Sequence, residues 1–97
     1  MEIKIIWSEQ AEFSYNCVID YLLENWNYKV ADEFCDKVDY ILSLLENQPL
    51  IGHKISSDES LRRILITEQN YLYYEIYVDQ IHLLSFKDTR QNTNTKN

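Results

Sequence analysis

The chain has 97 residues, 45% of them hydrophobic, with one Gly and one Pro, so its composition excludes a disordered protein and predicts one compact domain. The net charge is −7, and all excess acid lies in residues 1–47, where three lysines face ten acids, so free nucleic acid is not an expected partner. No apolar stretch approaches the roughly 20 residues of a membrane span, and no signal-peptide pattern opens the chain, so we interpret the protein as cytoplasmic, without a membrane partner.

The first half of the sequence predicts one strand and two helices. Residues 2–7 are rich in β-branched and alternating residues, which indicates a strand. Ser8 is a typical helix N-cap, and apolar residues recur after it at helical spacing. A short break at residues 25–27 separates this helix from a second one that ends near Asn47. The two helices should form an antiparallel hairpin with their acids directed to solvent.

The second half changes to strand periodicity. Pro49 and Gly52 mark the change, and a loop is expected to reach about Ser60. Three strand-like runs follow, at residues 61–66, 71–78 and 81–87. Their short connections predict an antiparallel meander. The polar tail at residues 91–97 has no period and is expected to be frayed.

The middle strand of this meander has two different faces, because side chains alternate along a strand. One face should meet the helices and comprises Leu72, Tyr74, Ile76 and Val78. The other face comprises Tyr71, Tyr73, Glu75 and Tyr77. Its tyrosines suit the anchoring of a partner protein. Tyr74 and Trp26 occupy apolar positions and are predicted to belong to the core.

Cysteines and histidines give no sign of a metal centre. Cys17 and Cys35 are not at metal-ligand spacing to each other or to His53 and His82. We therefore expect no metal and no cofactor, and we interpret the cysteines as two buried thiols. An isolated histidine is seldom catalytic, so neither His53 nor His82 is favoured as a general acid or base.

Three arginines are candidate site residues. Arg62 and Arg63 are neighbours in a strand and point to opposite faces, so one should make a surface contact and the other a structural pair with a helix acid. Arg90 follows the last strand, where strand ends and loops commonly carry function, and we interpret it as a binding residue. Asp88 beside it is expected to stabilise the turn.

The order of elements and five short segments resemble the RelE/ParE superfamily, the toxins of type II toxin-antitoxin systems. The segments are IIWSEQA at 5–11, Pro49 with Gly52, LRRI at 61–64, NYLYYEI at 70–76 and KDTRQN at 87–92. The resemblance implies an α+β fold, β-α-α-β-β-β, with a helical hairpin on one face of a small, mostly antiparallel sheet. It implies a single toxin domain over residues 1–90 and a cognate antitoxin as partner.

This superfamily contains two activities. RelE-like relatives cleave mRNA on the ribosome with several basic side chains and often a C-terminal aromatic residue, whereas ParE-like relatives bind and inhibit DNA gyrase. In the nuclease branch an Arg stands where this chain has Tyr71 or Leu72, and residues 91–97 contain no Tyr or His. Only Arg90 clearly matches the nuclease set. The resemblance therefore favours the ParE-like branch, a gyrase-binding inhibitor rather than an enzyme.

Two alternatives stay open at this point. One is a RelE-like, metal-independent endoribonuclease that acts on ribosome-bound mRNA, with Arg90, Arg62 and Arg63 as candidate catalytic residues. The other is a non-toxic relative that only binds the antitoxin. In the favoured interpretation the residues that contact the gyrase or the antitoxin are Tyr71, Tyr73, Tyr77 and Arg90.

Overall fold

The computed structural model describes residues 2–90, which share one hydrophobic core. The elements in chain order are β1 (Lys4–Trp7), α1 (Glu9–Asn25), α2 (Tyr28–Asn47), a 3-10 turn (Pro49–Ile51), β2 (His53–Lys54), β3 (Leu61–Thr67), β4 (Asn70–Ile76) and β5 (Gln80–Asp88). This confirms the predicted α+β order and adds the short strand β2. The tail predicted at residues 91–97 lies outside the described residues.

All five strands belong to one sheet, in the order β1-β5-β4-β3-β2. Strands β3, β4 and β5 form the predicted antiparallel meander. Strand β1 pairs in parallel with β5 at one edge, and the long connection that a parallel pair requires runs from α1 to β4. At the other edge, β2 pairs with β3 over only two residues, which is too short to show a period in the sequence.

Two serines fasten α1 to β5. The Ser8 hydroxyl accepts a hydrogen bond from the Ala11 N–H at 3.0 Å, as predicted for an N-cap, and donates one to the Leu84 carbonyl at 3.1 Å. Leu84 is an extra residue in β5, where the register with β4 shifts. Six residues further along, nearly two helical turns, the Ser14 hydroxyl accepts from the Phe86 N–H at 2.9 Å. These contacts fix the helix on one face of the sheet.

The core lies between the helical hairpin and that face of the sheet. Helix α2 contributes Ala31, Phe34, Val38 and Leu45. The sheet contributes chiefly Leu72, Tyr74, Ile81, Leu83 and Phe86. Each large side chain buried in this layer stabilises the fold by about 1.5–3 kcal/mol. The ten acids of residues 1–47 are all exposed, as predicted for the solvent side of the hairpin.

Two of the predicted core residues are exposed. Val78 is 94% exposed because β4 ends at Ile76 and the chain turns, with the Tyr77 N–H donating to the Gln80 carbonyl at 2.8 Å. Trp26 is 65% exposed because it is the C-cap of α1, where the backbone leaves helical geometry and the side chain leaves the apolar stripe. The prediction that Tyr74 belongs to the core is confirmed, since its exposure is 0%.

The cysteines are unpaired, but the prediction of two buried thiols is wrong. Cys17 is exposed and Cys35 is half-buried. Cys17 lies four residues from both Phe13 and Tyr21, which are also exposed, so it belongs to the solvent side of α1. No helix in residues 2–90 combines the length and apolarity that crossing a membrane would need.

Candidate functional site

Two of the predicted tyrosines lie together on the face of the sheet that the helices do not cover. Tyr71 and Tyr73 alternate in β4 with the buried Leu72 and Tyr74. Their rings are 6.3 Å apart between centroids and meet at 69°. Both rings are partly exposed and supported by the strand below them. The strand thus presents an aromatic platform of two adjacent rings.

Arg63 completes this platform from the neighbouring strand. It pairs with Tyr73 across β3 and β4. Its guanidinium carbon lies 4.1 Å from the centre of the Tyr71 ring, and its Nη1 donates a hydrogen bond to the Tyr73 hydroxyl at 3.3 Å. A cation at this distance is attracted by the negative face of the ring. Of the two adjacent arginines, Arg63 is therefore the one that belongs to the surface.

Lys87 adds a second positive charge from the other side. It pairs with Tyr71 across β4 and β5, and its Nζ lies 5.9 Å from the centre of the Tyr73 ring. Sequence reasoning did not single out Lys87, although the alternation of β5 and the meander register would have placed it opposite Tyr71. We call Arg63, Tyr71, Tyr73 and Lys87 the open-face cluster.

Tyr77 does not join the open-face cluster. It follows the end of β4, where its ring centroid is 4.3 Å from that of His82 and its hydroxyl donates to Glu75 Oε1 at 3.1 Å. This hydrogen bond and the charge of Glu75 raise the pKa of Tyr77. His82 in turn contacts Gln80 Oε1 through Nε2 at 2.8 Å. The three predicted tyrosines therefore form two separate groups.

Arg62 is structural, but it has a different partner from the one predicted. It is 8% exposed and donates hydrogen bonds to three backbone carbonyls rather than to a helix acid. Nη1 reaches the carbonyls of Gly52 at 2.8 Å and Leu50 at 3.3 Å, and Nε reaches that of Glu59 at 2.9 Å. The guanidinium thus ties together both ends of the loop that carries β2.

Tyr74 holds the same loop from below. Its hydroxyl donates to the Pro49 carbonyl at 2.9 Å and accepts from the Gly52 N–H at 3.0 Å. A Cβ on Gly52 would collide with the Tyr74 hydroxyl and would lie 2.8 Å from the Arg63 carbonyl oxygen. The sequence pairs its only Pro and only Gly here because the chain must pass directly over a buried tyrosine. We call Arg62, Tyr74 and Gly52 the loop anchor.

Arg90 lies just beyond β5 and is held by Asp88. Its Nη2 is 2.9 Å from Asp88 Oδ2, and its Nε and backbone N–H both donate to Oδ1. The Arg90 hydrogen bonds lower the pKa of Asp88, and the same contact, with a smaller influence from Tyr21 of α1, raises the pKa of Arg90. Thr89 and Arg90 are helical, so Asp88 caps the start of this helical segment, where the sequence predicted a turn. The Arg90 side chain is still 72% exposed.

The arrangement favours binding of a macromolecular surface. The exposed acids of the hairpin lie on one side of the molecule, and the open-face cluster with its two cations lies on the other side of the sheet. Among residues 2–90, no group of three or more His, Cys, Asp or Glu side chains is arranged to hold a metal ion. Flat aromatic and cationic surfaces of this kind are common in protein interfaces.

Comparison with known proteins identifies the fold and the family. Residues 5–93 match the family model described as the ParE toxin of type II toxin-antitoxin system, parDE. A search of curated protein sequences gives no match. Among solved structures, the chromosomal ParDE toxin-antitoxin system from P. aeruginosa superposes with a TM-score of 0.73 at 11% identity, covering 89% of this chain and 95% of that chain.

Two further structures show the same fold. The YoeB/ParE toxin from Agrobacterium tumefaciens gives a TM-score of 0.65 at 10% identity, over 89% of this chain and 98% of that chain. The E. coli DinJ-YafQ toxin-antitoxin complex gives a TM-score of 0.65 at 13% identity, over 94% of this chain and 97% of that chain. Because the family model spans nearly the whole sequence, this chain belongs to the ParE toxins of type II toxin-antitoxin systems, within the RelE/ParE superfamily.

Proposed function

We propose that this protein is a toxin that arrests growth by binding DNA gyrase and that a cognate antitoxin neutralises it. The observation that carries the proposal is how the three candidate arginines are used. The Arg62 guanidinium donates its hydrogen bonds to backbone carbonyls, and Arg90 forms an ion pair with Asp88. Arg63 alone joins the tyrosine platform, where it suits recognition more than proton transfer.

The open-face cluster is poorly equipped for cleaving RNA. Cleavage by proton transfer requires a general base and a general acid beside the scissile phosphate, together with cations that stabilise the extra charge of the transition state. The cluster contains one guanidinium and one ammonium, and the other two candidate arginines lie outside it, so it lacks the several basic side chains with which RelE-like relatives cleave mRNA. An aromatic surface with a few charges is more typical of the centre of a protein interface.

A cognate antitoxin is part of the proposal. The family consists of toxins from type II toxin-antitoxin systems. Structures similar to this chain include the DinJ-YafQ complex and the YoeB-YefM complex from Staphylococcus aureus. We assign the partner contacts to Tyr71 and Tyr73, with Tyr77 and Arg90 as additional contacts at two other places on the surface. A segment that folds as it docks would suit this small and partly apolar surface.

The decisive experiment compares two reactions. Purified protein should inhibit supercoiling by gyrase and leave ribosome-bound mRNA intact, and Tyr71→Ala with Tyr73→Ala should weaken inhibition by about tenfold or more, as expected for interface anchors. Tyr28→Ala is the matched control, because Tyr28 is 75% exposed on the hairpin. Cleavage of mRNA without gyrase inhibition would replace the proposal with the endoribonuclease. Antitoxin binding with neither activity would identify a non-toxic relative.

A further inference from the structure

The open-face cluster contains a guanidinium, that of Arg63, most of whose N–H donors have no acceptor among residues 2–90. Arg63 is half-buried between the Tyr71 ring and the Tyr73 hydroxyl. A guanidinium has five N–H donors, and the Tyr73 hydroxyl is the one acceptor that Arg63 has among the described residues. Within residues 2–90, neither Arg63 nor Lys87 forms an ion pair. Arg63 and Lys87 therefore present two positive charges on this face that no carboxylate of residues 2–90 neutralises.

An apolar side chain lies directly beside these charges. Leu65 pairs with Tyr71 across β3 and β4 and is 48% exposed. The row Leu65, Tyr71 and Lys87 runs across three strands, and Arg63 with Tyr73 forms the adjacent row. A ligand on this face thus meets an aliphatic side chain, two aromatic rings and two cations. A complementary ligand must place an anionic group next to an apolar one.

We infer that the open-face cluster binds a protein segment in which carboxylate and apolar side chains project from the same face. This inference rests on the proposed function, because it names the chemistry of the partner that the tyrosine platform receives. A carboxylate accepts two parallel hydrogen bonds from one guanidinium, and the planar fork of Arg63 is already oriented by its stacking on Tyr71. The apolar neighbour of that carboxylate would cover Leu65.

The charge distribution favours such a segment over a nucleic acid. Binding of a nucleic acid gains affinity from each phosphate that is neutralised, and the cluster offers two cations. The exposed acids of the hairpin and the net charge of −7 repel a long polyanion at low salt. A short acidic segment carries few charges and gains affinity from apolar contact as well. The carboxylate-bearing protein segment is therefore the better match.

A peptide of repeated Glu-Glu-Leu-Leu tests the inference, because an extended chain then places an acid and a leucine on each of its faces. Titration of the full chain with this labelled peptide should show saturable binding. Arg63→Gln should weaken it by about tenfold, the value of one charge-assisted contact. Lys87→Gln should have a smaller effect because Lys87 is exposed. Lys29→Gln, which removes an exposed lysine from α2, should leave binding unchanged.

Four outcomes would overturn the inference. Equal binding of a Gln-Gln-Leu-Leu peptide would show that the carboxylates are not recognised. An equal effect of Lys29→Gln would show that only the overall charge matters. Tighter binding of oligouridylate would assign the cluster to nucleic acid. If the toxin inhibits gyrase but does not bind the peptide, this inference fails and the proposed function stands. Peptide binding without gyrase inhibition would support this inference and contradict gyrase binding as the proposed function.

Discussion

The two faces of the sheet use neighbouring and chemically identical residues in different ways. Arg62 and Arg63 are adjacent in β3, and Tyr73 and Tyr74 are adjacent in β4. On the helix side, Arg62 and Tyr74 are buried and bond to backbone atoms of the loop before β3. On the open side, Arg63 and Tyr73 bond to each other at the surface. A guanidinium and a phenol thus stabilise the fold on one face and belong to the proposed binding surface on the other.

The largest difference between the faces should appear when each arginine is replaced by methionine. Arg62→Met removes the guanidinium that donates hydrogen bonds to three carbonyls, which destabilises the fold, but it also removes the cost of burying a charge. We expect the free energy of unfolding to fall by about 2–4 kcal/mol as the net result. Arg63→Met should change it by less than about 1 kcal/mol, because the site is at the surface. Urea denaturation of both variants measures the difference. Equal effects would contradict the division of roles.

A second test adds a single methyl group to the loop anchor. In Gly52→Ala the new Cβ has no space between Tyr74 and the Arg63 carbonyl, and overpacking of this kind costs about 1–3 kcal/mol. Backbone strain does not contribute, since φ at Gly52 is −72°. Ser57→Ala, in the exposed part of the same loop, is the control and should be nearly neutral. A stable Gly52→Ala variant would show that the loop can move away from Tyr74.

The third test compares the two tyrosines. Tyr74→Phe leaves the Gly52 N–H and the Pro49 carbonyl without their partner and should cost about 1–2 kcal/mol. Tyr73→Phe should cost less, because its hydroxyl accepts from Arg63 at the surface. Thermal unfolding of both variants at neutral pH measures this pair. A larger loss of stability for Tyr73→Phe would show that the hydroxyl on the open face, and not that of Tyr74, stabilises the fold.

Tyr74 also makes the stability depend on pH. Burial raises the pKa of Tyr74 above the value of 10.0 for a free tyrosine, so the folded protein holds this proton more tightly than the unfolded chain does. The resulting stability is complete below pH 10.0 and is lost as the pH rises toward the raised pKa. Tyr15, whose pKa burial also raises, adds to this loss. Alkaline destabilisation should therefore be smaller in Tyr74→Phe than in the unchanged protein.

Most of the fold could be predicted because its signals are local. Ser8 caps α1 by accepting a hydrogen bond from Ala11, three residues along the chain. The apolar side chains of both helices recur at every turn. The pairing of β1 with β5 could not be predicted in the same way, since it joins residues more than seventy positions apart. The core prediction for Trp26 is wrong because the residue continues the apolar spacing of α1 although it lies in the predicted break, where it is the C-cap of the helix.

The candidate site was predictable to a smaller extent, and register is the reason. Alternation places Arg62 and Arg63 on opposite faces but does not say which of them faces the helices. Pairing of Arg62 with the buried Tyr74 decides this, and pairing of Lys87 with Tyr71 adds the residue that was missed. Tyr77 was grouped with Tyr71 because the sequence extends β4 by two residues past Ile76.

The smallest expected change in stability concerns Arg90, which belongs to neither the loop anchor nor the open-face cluster. Arg90→Ala removes an exposed ion pair, so the free energy of unfolding should change by less than about 0.5 kcal/mol. If Arg90 contacts the target, the same variant should no longer arrest growth. Arg90→Lys should also fail if the contact is bidentate, because an ammonium cannot replace a planar guanidinium.

Asp88→Asn is the matched control for Arg90, because it breaks the same ion pair and leaves the guanidinium in place. Growth arrest should survive in Asp88→Asn if Arg90 acts by touching the target. It should be lost in both variants if the pair acts by holding the end of β5. NMR titration confirms that the pair has been broken in Arg90→Ala, where the lowered pKa of Asp88 should return toward 3.8. If Arg90→Ala restores the pKa of Asp88 and the protein is still toxic, Arg90 does not belong to the binding surface. Arg63 would then be the arginine that contacts the target.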